Sequence, residues 1–193
     1  MKRRELLRWP LAAAAGSACT VAASPALAVA SLVDLDTPYV TTPQPVVDAM
    51  LELAAVGPHD MLLDLGSGDG RIVITAAKRF GTRGLGVEID PKLVALARRN
   101  AEREGVADKT QFVVQDLFDT DLSAATVITM YLLPDVNIKL RPRLQRLRPG
   151  TRIVSHDWDM GDWAPDRSRI VAAPGKAVAP KDHSRIMLWV IGN

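Results

Sequence analysis

Cysteine is almost absent from this 193-residue chain, and Cys19 is the only one. No intramolecular disulfide and no cysteine-built zinc site can therefore form. Histidine is scarce too: His59, His156 and His183 are too scattered in sequence to suggest a metal cluster. Neither sign of charge prevails, since 24 basic against 22 acidic residues leave a formal net charge of +2. Much of that excess sits in Lys2, Arg3, Arg4 and Arg8. The remainder lacks the basic surplus that would suggest a nucleic-acid partner, so none is expected. The apolar run near the N-terminus is short of the about 20 residues that a stable membrane span needs. With 48% hydrophobic residues the chain can bury one sizeable core, but hardly two.

Residues 1–28 differ from the rest. Arg3 and Arg4 form a twin-arginine pair, an Ala-rich apolar stretch runs from Leu11 to Ala23, and Ser24-Pro25-Ala26-Leu27-Ala28 follows. A basic start, a short apolar run and a small-x-small end are the parts of a secretory signal. The paired arginines resemble the twin-arginine export signal of bacteria, whose pathway carries folded proteins. The expectation is a cleaved signal ending near Ala28, a periplasmic location, and one domain over residues 29–193. A retained anchor, or a cytoplasmic or membrane-associated protein if the segment is not used, is the alternative.

Beyond residue 30 there is no internal repeat and no low-complexity linker. Thr42 or Gln44 leads into an apolar-periodic helix carrying Val46, Val47, Met50, Leu51 and Leu53, and Gly57-Pro58 stops it. Met61 to Leu65 is a short apolar run ending in glycines, as a buried parallel strand would be. Helices are predicted over Arg71 to Phe80, Lys92 to Glu104 and Asn137 to Leu147. Further strands are predicted over Gly84 to Ile89, Gln111 to Val114, Thr126 to Tyr131 and Arg152 to Ser155. Two more follow at Arg169 to Ala173 and Ser184 to Ile191. Strands alternating with helices argue for an α/β, Rossmann-like, doubly wound sheet, seven-stranded and mostly parallel. The last two strands have no helix between them, which predicts an antiparallel edge hairpin at the C-terminus.

The chemistry centres on Asp64-Leu65-Gly66-Ser67-Gly68-Asp69-Gly70, between an apolar strand and a helix. Its glycines allow a tight turn and let a ligand lie against bare backbone. Glu88 follows roughly twenty residues on, near the end of the next strand, the spacing at which a ribose hydroxyl is read. A carboxylate there can accept hydrogen bonds from two vicinal hydroxyls. Asp116 lies just past the third strand, so three features at consecutive strand ends point into one crevice. A dinucleotide site is the nearest competitor, but its fingerprint places the last glycine one residue later. Asp69 inside the loop would repel a pyrophosphate, whereas it suits the cationic amino acid portion of S-adenosylmethionine (SAM).

Asp64 to Gly70, Val87-Glu88-Ile89-Asp90 and Asp116-Leu117-Phe118 resemble the SAM motifs of class I, seven-stranded methyltransferases. The resemblance covers about residues 38 to 191. Pro38-Tyr39-Val40, Asp69 to Val73 and Tyr131-Leu132-Leu133-Pro134 are similar to a narrower bacterial and mitochondrial family. That family includes lysine methyltransferases of the ATP synthase c-subunit and of the adenine nucleotide translocase. Thr151 to Asp157, with Met160 to Trp163, fits its bacterial branch. The resemblance implies SAM as cofactor, with Asp64, Gly66 and Gly68 at its amino acid portion and Ser67 also among the cofactor-binding residues. Glu88 would hold the ribose and Asp116 would sit by the adenine amino group. Tyr39, with Thr41 or Thr42, would close over the cofactor.

Methyl transfer needs an aligned nucleophile at about 3 Å and little else. A lysine acceptor, with a reference pKa of about 10.4, must also lose a proton first. Tyr131, His156 and Asp157 are the catalytic candidates, because they end the fourth and fifth strands. Tyr131-Leu132-Leu133-Pro134 stands where many amine methyltransferases carry Asn- or Asp-Pro-Pro-Tyr. His156 is either a proton acceptor or a hydrogen-bonded structural histidine. Asp157 is a candidate to orient a cation. Trp158 and Trp163 form either a cation-binding wall or packing under the loop 157–168. Arg71 is expected to tie down a carboxylate. The resulting expectation is a monomeric, metal-free methyltransferase acting on a protein lysine, which meets membrane only through its signal or a membrane-embedded substrate. A small-molecule N- or O-methyltransferase, a SAM-binding protein without turnover, and an aminopropyl transferase are the alternatives.

Overall fold

The computed structural model describes residues 39–193; the predicted signal, residues 1–28, lies outside the described residues. Strand β1 (Met61–Leu65) is an apolar run whose last four residues are all buried, so it has no solvent face. It pairs in parallel with β2 (Arg83–Glu88) on one side and with β4 (Val127–Met130) on the other. Strand β3 (Thr110–Val114) extends the sheet beyond β2, and β5 (Arg152–His156) extends it beyond β4. The order reverses between β1 and β4, which opens a crevice at the carboxyl ends of these strands.

The seven strands run in the order β3-β2-β1-β4-β5-β7-β6. The closing hairpin, β6 (Arg167–Ala173) and β7 (Asp182–Val190), is antiparallel as predicted. Its placement sharpens the expectation: β7 inserts beside β5 and leaves β6 at the edge. Only β7 therefore runs against the sheet, because β6 reverses direction once more. Met187 pairs with Ser155 and Ile186 with His156, so β7 continues the core rather than decorating its rim.

Helices cover both faces. Helix α1 (Gln44–Leu53) starts on a proline in its first turn, and α2 (Arg71–Phe80) opens directly from the glycine loop. Helix α3 (Pro91–Arg103) is capped by Asp90, whose side chain accepts from the Lys92 N–H. These three pack Val46, Met50, Ile72, Val73, Val94 and Ala97 against Leu62, Val127, Val154 and Leu188. The alternate strand residues Leu63, Leu65, Ile128, Ile153 and Trp189 face the opposite layer, with Leu140 and Leu144 of α4 (Pro134–Leu144). This two-residue alternation divides the core into its two layers. Helix α4 begins three residues before the predicted Asn137, since Pro134 supplies a preset φ at its first turn.

Gly70 is the point where strand, loop and helix must meet. It sits at the N-cap of α2 with φ +81°, and an added Cβ would lie 2.7 Å from the Phe112 ring and 2.9 Å from Ala97. Gly70→Ala is therefore expected to destabilise the fold by about 1–3 kcal/mol through the left-handed backbone and the overpacking. Thermal unfolding of the two proteins measures it, and an unchanged melting temperature would contradict this account.

Candidate active site

The loop from β1 to α2 spends its donors on itself. The N–H groups of Gly66 and Ser67 both donate to the Val87 carbonyl, at 3.0 and 2.9 Å, and Gly70 donates to the Ser67 carbonyl at 2.9 Å. Gly68 donates to Glu88 Oε2 at 2.9 Å. A phosphate would thus find few free N–H groups. Among the described residues no donor reaches the carbonyls of Gly66 or Gly68, so the loop offers acceptors to a ligand instead. Such a surface fits a cation. Tyr39 lies directly over Gly68, where an added Cβ would meet its ring at 2.6 Å, and glycine's φ of +53° completes the requirement.

Glu88 holds this turn from the end of β2. Its Oε1 accepts from the N–H groups of Ile89 and Asp90 at 2.8 and 3.1 Å, and its Oε2 accepts from Gly68. An ionised carboxylate offers about four lone-pair sites, so about one remains for a ribose hydroxyl. Asp116 is exposed and begins a single 3-10 turn, Leu117–Asp119, with Oδ1 accepting from the Phe118 N–H at 2.8 Å. Its other oxygen is open to an amino group.

Asp64 does not reach the ligand space directly. Its residue is 2% exposed, and Oδ1 accepts from the Thr129 hydroxyl at 2.7 Å. Burial raises its pKa to about 7; the Thr129 bond opposes the rise, and the nearby Glu88 and Asp69 add to it. A cation bound at the loop would feel it only through its field. The Ser67 side chain is also turned inward: its buried Oγ lacks a partner and lies 2.6 Å from where a Gly86 Cβ would stand. Burial pushes the Asp69 carboxyl up, but the Arg71 guanidinium outweighs this and holds it below the usual carboxylate range. Their ion pair spans 2.6 Å, so the Asp69 charge is spent on Arg71 rather than left for a ligand.

Arg71 also donates to the Thr42 carbonyl at 2.8 Å, and Thr42 Oγ1 lies 3.3 Å from His156 Nδ1. Tyr39 to Thr42 thereby crosses from the glycine loop to the end of β5. Thr42 is buried and makes this link, while Thr41 is exposed.

At that end five polar side chains meet. His156 is fully buried, with Nε2 2.8 Å from Ser184 Oγ, and its ring stacks on Tyr131 at 3.8 Å. Burial lowers its pKa to about 4, against the opposing pull of Asp157, so the imidazole is neutral. With both nitrogens engaged by hydroxyls it is a positioned structural group, not a free base. Asp157 has a left-handed φ of 62°, unusual outside glycine, and its side chain is 3% exposed. Its Oδ1 accepts from the Arg185 N–H at 3.0 Å, and its Oδ2 pairs with the fully buried ammonium of Lys176. Burial, then the Asp157 charge, pushes the Tyr131 phenol up to about 12, so it stays protonated.

Trp163 packs on Trp189 with centroids 5.8 Å apart, and its carbonyl accepts from Trp189 Nε1. The packing reading holds for this residue. Asn137 of α4, fully buried, donates to the carbonyls of Trp158 and Asp159 and so pins the chain just after β5. Lys176, Ser184, Thr129 and Asn137 went unnoticed in the sequence. They lie 18 to 65 positions from their partners, and nothing local marks them.

The residues at the crevice fit SAM: acceptors at the loop, an open lone pair on Glu88, a free oxygen on Asp116 and a protonated phenol overhead. No group of His, Cys, Asp and Glu among the described residues could hold a metal ion. Fold and site together define a class I SAM-dependent methyltransferase. Residues 64–167 match the ANTKMT methyltransferase domain, and the chain belongs to that family. A protein-lysine N-methyltransferase of Saccharolobus islandicus (strain REY15A) is 48% identical over 130 residues, 66% of this chain and 81% of that protein. The Homo sapiens lysine N-methyltransferase of the ATP synthase c-subunit is 37% identical over 106 residues, 54% of this chain. The chain spans only 45% of that human relative. An RNA methyltransferase from Salinibacter ruber, solved with S-adenosyl-L-homocysteine, is 56% identical with a TM-score of 0.71. The alignment covers 79% of this chain and 94% of that one.

The raised pKa of Asp64 predicts a pH-sensitive cofactor site. In the free protein its carboxyl titrates near pH 7, and a bound sulfonium and ammonium draw its pKa down. Below about pH 7 binding must expel that proton, so SAM affinity should fall as pH drops from 8 to 5.5. Because the folded pKa is raised, the same group makes the free fold less stable as pH rises from about 4 through 7. Calorimetric titration of SAM across this range checks the first effect. Asp64→Asn should flatten the dependence, and an equally steep profile in the variant would refute it.

Proposed function

We propose that this methyltransferase acts on the ε-amine of a protein lysine. The observation that carries the reading is the Asp157 carboxylate just past β5, 3% exposed, beside Tyr131 and already paired with an ammonium, that of Lys176. A buried carboxylate in such a place attracts an ammonium far more strongly than it would in water. Two relatives named as lysine methyltransferases support the same reading. SAM supplies an electrophilic methyl group on sulfur. The acceptor nitrogen, once it has given its proton to water, forms the new N–C bond as the C–S bond breaks, and the positive charge passes from sulfur to nitrogen.

This chain's residues position the acceptor rather than take its proton. Asp157 docks the ammonium, and Tyr131 is a protonated wall rather than a base. His156 fixes the wall by stacking behind it. Positioning of this kind supplies most of what a sulfonium transfer needs. The Salinibacter ruber structure bears the name of an RNA methyltransferase, which makes RNA the second reading. The near-balanced charge of this chain favours it less.

Incubation with labelled SAM plus soluble extract, membranes and total RNA separates the readings. Label in polypeptide, at lysine on hydrolysis, is the expected result; label confined to RNA or to small molecules would overturn it. Glu88→Gln should weaken SAM by about tenfold or more, since a charge-assisted bond is worth ~1.5–3 kcal/mol, and reduce labelling at sub-saturating SAM accordingly. Unchanged affinity would remove Glu88 from the cofactor site.

We also propose export, on the strength of Arg3-Arg4, the apolar run and the small-residue end at Ala28. No described helix is long and apolar enough to cross a membrane. Fractionation of cells carrying a C-terminally tagged full chain should recover a shortened protein in the periplasm. An uncleaved protein found only in the cytoplasm would sink this proposal.

A further inference from the structure

The segment between β6 and β7 has almost nothing buried in it except one charge. Pro174, Gly175, Ala177, Ala179, Pro180 and Lys181 are exposed, and Val178 is half-buried. Lys176 alone is buried, with a side chain of 0% exposure. Its ammonium pairs with Asp157 Oδ2 and donates to the His183 carbonyl at 3.1 Å. A loop fastened for stability alone gains more from an apolar anchor. Taking both members of an ion pair out of water is costly, and hydrophobic replacements are often neutral or stabilising. The pair calls for another reason.

Its position supplies one. Asp157 follows β5, the strand beside β4, with a left-handed backbone, and its carboxylate meets the Lys176 ammonium. The His156 imidazole, 3.4 Å from the same oxygen, is neutral and leaves the negative charge uncompensated. An alkylammonium on a four-carbon stem is therefore what this seat holds, and a substrate lysine has the same chemistry. We infer that Lys176 is a built-in occupant of the acceptor seat, resting on Asp157 where an incoming lysine ammonium docks. Residues 174–181 must then release it before an acceptor can bind. This inference rests on the reading of the acceptor as an amine. The competition lowers the apparent affinity for the acceptor by the fraction of molecules with the seat open. It also keeps a buried carboxylate charge-paired while no acceptor is present.

Full-length Lys176→Ala supplies the test. Removing the ammonium leaves Asp157 unpaired, so the variant should melt at a lower temperature. n-Butylammonium chloride should restore that temperature, whereas sodium chloride at equal ionic strength should not. Lys176→Ala combined with Asp157→Asn should show no such response. The single variant should also show a several-fold lower KM for a lysine peptide, with SAM affinity unchanged. Hydrogen exchange at residues 174–181 of the unaltered protein should rise with saturating n-butylammonium, a readout that stands even if the variant fails to fold. A folded variant blind to n-butylammonium, or an exchange rate that stays flat, overturns the inference. Polypeptide labelling without the alkylammonium response would refute the seat and leave the lysine reading standing. RNA labelling would overturn the lysine reading and, with it, this inference.

Discussion

The Glu88 carboxylate is the constraint on which the cofactor end depends. Three backbone N–H groups converge on it, from Gly68, Ile89 and Asp90, and so tie the end of β2 to the loop that leaves β1. Charge-assisted bonds of this kind are roughly twice as strong as neutral ones. With the Val87 carbonyl taking the N–H groups of Gly66 and Ser67, the loop is set before any ligand arrives. Its remaining polarity is that of carbonyls and carboxylates. A ligand part carrying a sulfonium and an ammonium suits such a surface, and a pyrophosphate does not. The dinucleotide alternative thus gives way on hydrogen-bond accounting rather than on glycine spacing alone.

The acceptor end obeys the opposite requirement. There a carboxylate is buried among a protonated phenol, a neutral imidazole and apolar strands, and something positive must sit on it. Lys176 meets that need from a loop that has little else to hold it. The two ends are joined by the segment Tyr39 to Thr42. Tyr39 lies over Gly68, Arg71 holds the Thr42 carbonyl, and Thr42 touches His156.

The sheet and its glycine loop were legible because their signals are local. Met61 to Leu65 ends in glycines, Glu88 and Asp116 follow in step, and each needs only its neighbours to be read. The closing hairpin was legible as a pair of strands. Its insertion order was not, since a strand's pairing partner depends on which edge is open after the earlier strands have packed. Residue identity likewise told little about which way a side chain turns. Asp64 and Ser67 belong to the loop by sequence, yet one is buried against Thr129 and the other faces Gly86. Asp69, expected to meet a cationic ligand, is neutralised by Arg71, two residues on.

By itself, then, the sequence determined the class of fold, the glycine loop with Glu88 and Asp116 at neighbouring strand ends, and the scarcity of metal-binding groups. All three follow from short-range spacing, period and composition. Only the tertiary structure decided the acceptor half. Tyr131, His156, Asp157, Lys176 and Ser184 come from the ends of β4, β5 and the β6–β7 hairpin, and only sheet register brings them together. The physical reason is burial: a histidine's role, an aspartate's charge and a lysine's partner are set by what surrounds them, and those surroundings are distant in the chain.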